Sequence, residues 1–258
     1  MSTPALSVPR TARLARWNAV LMTRNRLALT YGVVVPLLPL LLLLSGDRGD
    51  AGSGAAAITT TVLMAVLFPV FYNVLSQFVT RRDELVLKRM RTGEARDLEL
   101  LVALALPGAA ITVAVSLLAV PLAVALGQDA PLNPLLYVVG VLVSVVMFAA
   151  LAFWTAAWTR NAEAAQMTSL PVILLALGGQ LSIALPESAQ RWADLTPGAA
   201  LTDLVRSTWF GLPGSGTTPT LDLGATWAEA AGPIAVLLAW TVVAVVVAAR
   251  SLQWEPRV

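Results

Sequence analysis

The sequence predicts an all-α polytopic membrane protein, in which a single transmembrane domain fills residues 1–258. Of the 258 residues, 57% are hydrophobic and 12% are charged, whereas soluble domains have roughly 45–50% and about 25%. The mean hydropathy is +0.77. The apolar residues also cluster in long runs, and a helix needs about 20 such residues to cross a bilayer. Lipid is therefore the expected solvent of this chain.

Six apolar runs predict six transmembrane helices. The first follows 27 mostly polar residues, whereas a secretory signal carries its apolar region nearer the start, so we expect the first span to be retained. The third is long enough to tilt or break near Pro107-Gly108. Prolines inside spans are tolerated where neighbouring helices satisfy the backbone. The predicted spans are residues 28–44, 55–79, 98–126, 135–158, 167–185 and 232–249.

The basic residues predict the orientation. With the N-terminus in the cytoplasm, 14 of the 17 Lys and Arg residues fall in cytoplasmic segments, and the outer loops hold Arg48, Arg191 and Arg206. The positive-inside rule therefore favours cytoplasmic N- and C-termini. Basic loops beside an anionic leaflet also account for the high pI, and we expect membrane lipid and no nucleic acid as a partner.

The composition excludes several chemistries. The chain has no His and no Cys, so imidazole and thiolate metal sites are absent and Ser-His or Cys-His catalysis is excluded. The phosphate-binding loop G-x-x-x-x-G-K-[ST] needs a Gly-Lys pair, but the one lysine, Lys88, follows Leu87. We expect no enzyme, no metal site and no nucleotide site in this chain, so any ATP is hydrolysed by a partner.

The spans carry no Asp, Glu, Lys or Arg away from their ends, and Glu99 lies at the mouth of the third. Ion-coupled carriers usually bury such groups at mid-membrane. Their absence argues against a secondary carrier without eliminating one. An aspartyl intramembrane protease would need paired acids within spans, and a rhomboid-like protease would need His.

The segment Thr80–Glu99 is the longest cytoplasmic loop and carries six basic and five acidic residues. Apolar residues such as Leu85 and Met90 predict a short helix along the membrane surface. Glu84 and Lys88 would form an i, i+4 pair on its polar side. A solvated loop that only sets the topology is the alternative.

The run Val86–Thr92 resembles the V-L-K-R-L-R-T-T-P loop of type-2 ATP-binding-cassette (ABC) exporter permeases of the bacterial drug- and antibiotic-resistance kind. Met90 replaces the usual leucine, and Gly93 stands where Thr-Pro would follow. The order of residues after the fifth span, from Pro171 through Gly178-Gly179 to Leu195-Thr196-Pro197, resembles the same family. The resemblance covers most of the chain.

The resemblance implies that separate subunits cross the membrane and hydrolyse ATP. Two permease subunits, as a homodimer or a heterodimer, would pair above two ATPase subunits that bind ATP and Mg²⁺, and no cofactor would bind this chain. The cargo would be a lipophilic or amphipathic drug, antibiotic or lipid-like molecule, exported across the bacterial plasma membrane. A secondary carrier and a non-transporting membrane scaffold are the alternatives.

The resemblance also implies local roles. A coupling helix at 81–93 would dock in a cleft of the ATPase, and short re-entrant helices on the outer side would occupy 187–212. The implied ATPase contacts are Glu84, Leu87, Lys88, Arg89, Met90 and Arg91.

Residues 10–24 predict a second surface helix. Leu14, Trp17 and Leu21 share one face at i, i+3 and i+7, and a Trp suits the membrane interface. In the family this is the amphipathic in-plane connecting helix before span one. A disordered basic tail is the alternative.

Span two carries a polar patch below two phenylalanines, and span five can face it. The functional interpretation is a path for an amphipathic substrate at the dimer seam, and the alternative is interhelical hydrogen bonding. The candidate residues are Phe68, Phe71, Tyr72, Asn73, Gln77 and Gln180.

Tryptophans mark the outer segment between spans five and six. We interpret Trp192, Trp209 and Trp227 as an aromatic belt at the membrane interface. An external gate formed by the outer helices is the alternative.

Overall fold

The structure is a computed structural model that describes residues 7–45, 47–91, 96–181, 187–214 and 216–254. Every regular element in these ranges is a helix, which confirms the all-α class. In chain order they are α1 (Val8–Arg24), α2 (Arg26–Leu44), α3 (Ala51–Asp83), α4 (Val86–Arg91), α5 (Asp97–Ala125), α6 (Pro134–Ala156), α7 (Ala164–Ala176), α8 (Gly178–Leu181), α9 (Glu187–Ala193), α10 (Pro197–Phe210) and α11 (Ala225–Ser251).

Among the described residues, five helices are long and apolar enough to cross a membrane, namely α2, α3, α5, α6 and α11. They correspond to five of the six predicted spans. The remaining span, 167–185, falls on α7 and α8, and residues 182–185 lie outside the described ranges. With 13 residues, α7 is about 20 Å long, short of the roughly 30 Å hydrocarbon core.

Close packing at Gly178 explains why α7 does not continue as one long helix. A methyl group built on Gly178 would lie 2.0 Å from Thr196 Oγ1, and one on Gly198 would lie 1.7 Å from the carbonyl oxygen of Ala176. The chain therefore breaks after α7 and restarts as α8 against the beginning of α10, an approach that only glycine allows at these two positions.

Capping side chains fix where several helices begin. Asp50 accepts a hydrogen bond from the backbone N–H of Ser53 at the start of α3. Asn133 does the same for Leu136 at the start of α6, and Thr196 caps α10. Such caps satisfy backbone donors that have no partner within the helix. They place the boundaries of α3 and α6 within a few residues of the apolar runs.

The α3 helix is the centre of the bundle. It packs against α2, α5, α6 and α10, while α1 lies on α5, and α11 lies on α6 and α10. Its side chains Ile58, Leu63, Val70 and Leu75 are fully buried. Lipid tails are as apolar as leucine, so van der Waals packing rather than escape from water holds such helices together.

Prolines loosen two of the long helices without ending them. The turns at Leu67–Tyr72, around Pro69, are π-helical, as is Thr30–Val34 in α2. By contrast, α5 runs unbroken through Pro107 and Gly108, where the sequence allowed a break. A methyl group on Gly108 would lie 1.9 Å from the carbonyl oxygen of Pro69, so glycine lets α5 lie directly against the π-helical turns of α3.

Two polar side chains satisfy the carbonyls that these prolines leave without a helical donor. Proline has no N–H, so it cannot bond to the carbonyl four residues earlier. The Ala65 carbonyl, four residues before Pro69, accepts from Thr112 Oγ1 at 2.5 Å. The Ala103 carbonyl, four residues before Pro107, accepts from Asn18 Nδ2 at 2.7 Å. Proline sites thus become the polar links between helices.

Trp209 does not belong to an aromatic belt. It is 2% exposed, packs edge-on against Tyr137 at 5.1 Å, and donates through Nε1 to the carbonyl of Asp129. Trp192 and Trp227 are exposed, as the belt requires. Trp209 is instead the buried anchor of α10, because the chain at Leu132–Asn133 hydrogen-bonds back to α10 and closes over it.

Candidate functional site

One end of the bundle gathers most of the basic residues, and it is called the basic end below. It comprises the start of α1, the end of α3, α4, the start of α5 and the ends of α6 and α11. Contacts between these segments define it: Ser7 with Glu99, Arg82 with Thr159, and Arg91 with Trp254.

The short helix predicted at 81–93 is six residues long in the structure. Residues 81–83 are the last turn of α3, and residues 92–93 lie outside the described ranges. Leu85 separates the two helices with φ of 60°, a left-handed conformation that L-residues rarely adopt. This left-handed residue ends α3 and separates it from α4.

The α4 helix has an inner and an outer face. Leu87 is 3% exposed and lies in the hydrophobic core. Leu87 and Met90 line a small gap together with Leu14 and Phe78. Glu84, in the turn before the helix, and Lys88 and Arg89, on its outer face, are exposed. Of the six predicted ATPase contacts, these three and Arg91 are exposed, whereas Leu87 and Met90 attach the helix to the bundle.

Arg91 is engaged within the chain. Its Nε lies 2.7 Å from Asp97 Oδ1, and its Nη2 lies 3.1 Å from Oδ2, a bidentate pair. The guanidinium carbon also lies 4.7 Å from the ring centroid of Trp254, whose ring meets Phe78 edge-on at 5.7 Å. Arg91 therefore connects α4 to the start of α5 and to the chain just after α11.

Arg82 is a structural anchor that sequence reasoning missed. It is fully buried, and its guanidinium donates to the carbonyls of Ala156 (2.8 Å), Thr159 and Arg160 (3.1 Å). A cation at a helix C-terminus satisfies carbonyls that have no helical donor and matches the helix dipole. Arg82 thus fixes the end of α3 to the end of α6. In the sequence it was indistinguishable from the topology-setting arginines around it.

Glu99 joins the starts of two helices. Its carboxylate is buried and accepts from the backbone N–H groups of Ser7 (2.9 Å) and Arg96 (3.2 Å), while Arg10 Nη1 lies 3.4 Å away. These bonds hold α1 against the beginning of α5. Contacts within the chain therefore hold the segments of the basic end together, and these segments are not independent loops.

The three residues of the predicted apolar anchor lie on two different sides of α1. Leu14 is half-buried and faces the bundle together with buried Asn18 and Met22. Trp17 is 64% exposed and Leu21 is 59% exposed. Only Trp17 and Leu21 are therefore presented to the surroundings.

Half-exposed residues form a line along α3, and this line is called the α3 stripe. It contains Thr60, Met64, Phe68, Asn73 and Gln77. The predicted substrate-path residue Phe71 does not belong to it, because Phe71 is 1% exposed and lies in the core. Tyr72 is half-buried and packs against that core.

The polar residues of the α3 stripe bond mainly along their own helix. Gln77 Nε2 donates to Asn73 Oδ1 at 2.8 Å, and Arg81 Nη2 donates to Gln77 Oε1 at 3.0 Å. The contact of Asn73 with another helix is a weak one, to Met22 Sδ at 3.8 Å. These amides keep their polar groups satisfied while facing an open side of the bundle.

Aromatic and amide contacts flank the α3 stripe on both sides. Tyr31 of α2 stacks on Phe68 at 6.0 Å. Gln180 of α8 donates to Thr60 Oγ1 at 3.0 Å. Thr60 and Asn73 are about 20 Å apart along the helix, so Gln180 flanks the Thr60 end of the α3 stripe and not the polar patch around Asn73.

A separate apolar cleft opens on another side of the bundle. It has a volume of ≈ 420 Å³ and lies between α5, α6 and α11, with a lining that includes Leu101, Val145 and Phe153. The residues that line the cleft are apolar on all three helices. The sequence therefore does not distinguish this cleft from ordinary lipid-facing surface.

The opposite end of the bundle holds an acidic group near Arg206. Burial raises the pKa of Asp203 to about 6. Arg206 opposes this increase, and the carboxylates of Asp194 and Glu229 add to it. Arg206 also donates to the carbonyls of the 211–220 loop, so this Gly- and Thr-rich loop is attached to α10.

Comparison with known families identifies the chain. A family model described as "ABC-2 family transporter protein" matches residues 28–250. The chain belongs to the ABC-2 transporter family. No curated protein matches it. The match extends from α2 into α11 and includes α4 and the α3 stripe.

Family membership gives the basic end a context. This ABC-2 chain is a multi-pass membrane subunit of a transporter, and members of the family generally work with an ABC ATPase partner. Trp254 and all of α1 lie outside the matched residues.

Proposed function

We propose that this ABC-2 chain is the permease of an ATP-driven exporter, and that its α4 helix receives the motion of a separate ATPase. The observation that carries the proposal is the division of α4 into two faces. Leu87 and Met90 fasten it to the bundle, and Lys88 and Arg89 are exposed on its outer face, with Glu84 beside them. A short helix attached on one side and charged on the other suits a force-transmitting contact.

In this proposal the basic end faces the cytoplasm of a bacterial plasma membrane, in agreement with the positive-inside rule. Together α7 and α8 provide the sixth crossing. Trp17 and Leu21 anchor α1 in the plane of the inner leaflet, where amphipathic helices bury an apolar face. The short helices α9 and α10 lie at the outer side.

A second permease subunit covers the α3 stripe in the working transporter. The stripe is the open side of the otherwise buried central helix, and both of its flanks carry side chains able to contact a partner or a cargo. Phe68 and Tyr31 offer apolar contact, and Asn73 and Gln77 offer hydrogen bonds without a fixed charge. That combination favours a lipophilic or amphipathic cargo.

Charge reversal tests the ATPase contact. We expect Lys88→Glu plus Arg89→Glu to reduce retention of the ATPase on the detergent-purified chain at least about tenfold, since like charges across an interface cost several kcal/mol. The matched control is Arg24→Glu plus Arg26→Glu, which makes the same charge change on exposed residues at the junction of α1 and α2. Equal retention by the α4 variant and the wild type would contradict the proposal.

The absence of cysteine from the chain permits a direct test of orientation. A cysteine at exposed Thr218 should react with a membrane-impermeant maleimide in intact cells, and one at exposed Asn161 should react only after permeabilisation. The reverse pattern would refute the orientation without bearing on the α4 contact.

A further inference from the structure

The chain after α11 returns to the underside of α4. Trp254 is half-buried, its ring meets Phe78 of α3 edge-on at 5.7 Å, and Arg91 lies over its face at 4.7 Å. The Nε and Nη2 edge of the Arg91 guanidinium is engaged by Asp97 at the start of α5. One residue of α4 is thereby connected to two spanning helices and to the end of a third.

The α4 helix needs such connections because of its length. Six residues are far below the 12–15 or so at which an isolated helix becomes stable in water. Its orientation therefore depends on the side chains that fasten it, Leu87, Met90 and Arg91. Leu87 and Met90 provide apolar burial, which is non-directional, whereas the contacts of Arg91 are directional.

Arg91 is suited to hold an orientation because its guanidinium is planar. A bidentate carboxylate pair and an aromatic face together specify both the position and the tilt of that plane. Exposed ion pairs contribute little stability by themselves, so the Trp254 ring and the Asp97 pair act together as a geometric constraint. A lysine at this position would satisfy neither contact in the same way.

We propose that Trp254 is a positioning residue that clamps Arg91 and so passes the displacement of α4 to the end of α11. The clamp consists of Arg91, Asp97 and Trp254. It gives Arg91 a positioning role within the chain, although its side chain is 42% exposed. This inference rests on the proposed function, in which an ATPase displaces α4.

The first experiment uses the full chain alone in lipid nanodiscs and measures amide hydrogen exchange. In Trp254→Ala, exchange over Val86–Arg91 should become about two- to tenfold faster, the range that corresponds to loss of one cation–π contact. Trp254→Phe should restore part of the protection, because phenylalanine keeps a weaker aromatic face. The control is Trp158→Ala, an exposed tryptophan that packs on Trp154 at 4.8 Å and is not one of the three residues of the clamp. Unchanged exchange in Trp254→Ala, or an equal increase in Trp158→Ala, would overturn the clamp.

The second experiment uses the complex with the ATPase that purifies with the wild-type chain. Adding a non-hydrolysable ATP analogue should change exchange both in α4 and in the last two turns of α11. In Trp254→Ala, ATPase retention and the response of α4 should persist, while the response of α11 should be lost. A purely structural role of Trp254 would not separate these two responses. An α11 response of wild-type size in Trp254→Ala would overturn the inference.

The two experiments separate the clamp from the proposed function. If the wild-type chain retains no ATPase, the proposed function fails, and the exchange measured on the chain alone still decides whether Trp254 holds α4. If the ATPase is retained and α4 responds but α11 does so independently of Trp254, the clamp fails and the proposed function stands.

Discussion

Asn18 and Pro107 are predicted to be energetically coupled, although they lie on different helices. Asn18 of α1 donates to the Ala103 carbonyl at 2.7 Å, and that carbonyl lacks its helical donor because residue 107 is proline. Asn18→Leu removes the donor and keeps the same number of side-chain heavy atoms with the same branching. In the Pro107→Ala background, the restored N–H of residue 107 bonds to Ala103, so the same substitution should cost less.

The magnitude follows from the burial of the contact. Asn18 is 8% exposed, and leaving a buried acceptor unsatisfied costs about 1–3 kcal/mol. Interhelical hydrogen bonds in a membrane protein measured by double-mutant cycles average about 0.6 kcal/mol and reach about 1.7 kcal/mol. We therefore expect Asn18→Leu to lower the free energy of unfolding by about 1–2 kcal/mol with Pro107 present. The coupling energy between the two sites should be about 1 kcal/mol.

The assay is reversible unfolding in mixed detergent micelles of the wild type, both single variants and the double variant. The control cycle replaces Pro107→Ala with Pro121→Ala, in the same helix but about 21 Å farther along it, where distant substitutions should add within about 0.3–0.5 kcal/mol. Additivity in the Pro107 cycle, within that error, would refute the reasoning that Asn18 substitutes for the missing backbone donor.

Three further substitutions test other parts of the fold by the same unfolding assay. Gly108→Ala should cost at least about 2 kcal/mol because its methyl group would collide with a carbonyl, whereas Gly232→Ala, which meets open space, should cost nothing or stabilise by up to about 1 kcal/mol. Arg82→Met should cost about 3 kcal/mol by stripping buried carbonyls of their donors, and Arg250→Met, at an exposed site, should change stability by less than about 0.5 kcal/mol. Burial raises the pKa of Asp203 from 3.8 to about 6, so its folded form binds the proton more tightly and stability should fall as pH rises between those values; in Asp203→Asn that fall should disappear.

Composition and apolar run length predicted the all-helical membrane class and five of the long helices, because those properties depend on local sequence. The predicted and observed helix boundaries differ where contacts between helices decide where a helix ends. The fifth predicted span was read as one run from 167 to 185, but α7 ends at Ala176 because Gly178 and Gly198 bring α8 and α10 into direct contact. No periodicity within residues 167–185 encodes that approach, since the collision involves a segment 20 residues farther along.

The sequence indicated where the candidate site lies, but not which side of the α4 helix faces the bundle. The charged loop after span two was singled out, and its exposed residues Glu84, Lys88 and Arg89 are among those named. The burial of Leu87 depends on Leu85, whose φ of 60° resets the helical phase after α3. A hydrophobic pattern does not reveal a single left-handed residue that is not glycine. The prediction for Phe71 was wrong for a related reason, because Phe71 lies in the π-helical turns Leu67–Tyr72, which shift the faces of α3.

A proline inside a span specifies in advance which carbonyl needs a donor, namely the one four residues earlier, but the identity of the donor is a tertiary property. In this chain Pro69 frees the carbonyl of Ala65 and Pro107 frees that of Ala103, and Thr112 and Asn18 supply the donors. Each donor comes from a different helix than its acceptor, so the two prolines connect α3 to α5 and α5 to α1. The first turn of α5 carries Asp97, which pairs with Arg91 of α4, and Glu99, which accepts a hydrogen bond from Ser7 at the start of α1. Polar contacts of α5 therefore reach α1, α3 and α4, and the prolines that loosen the helices are also sites at which they are joined.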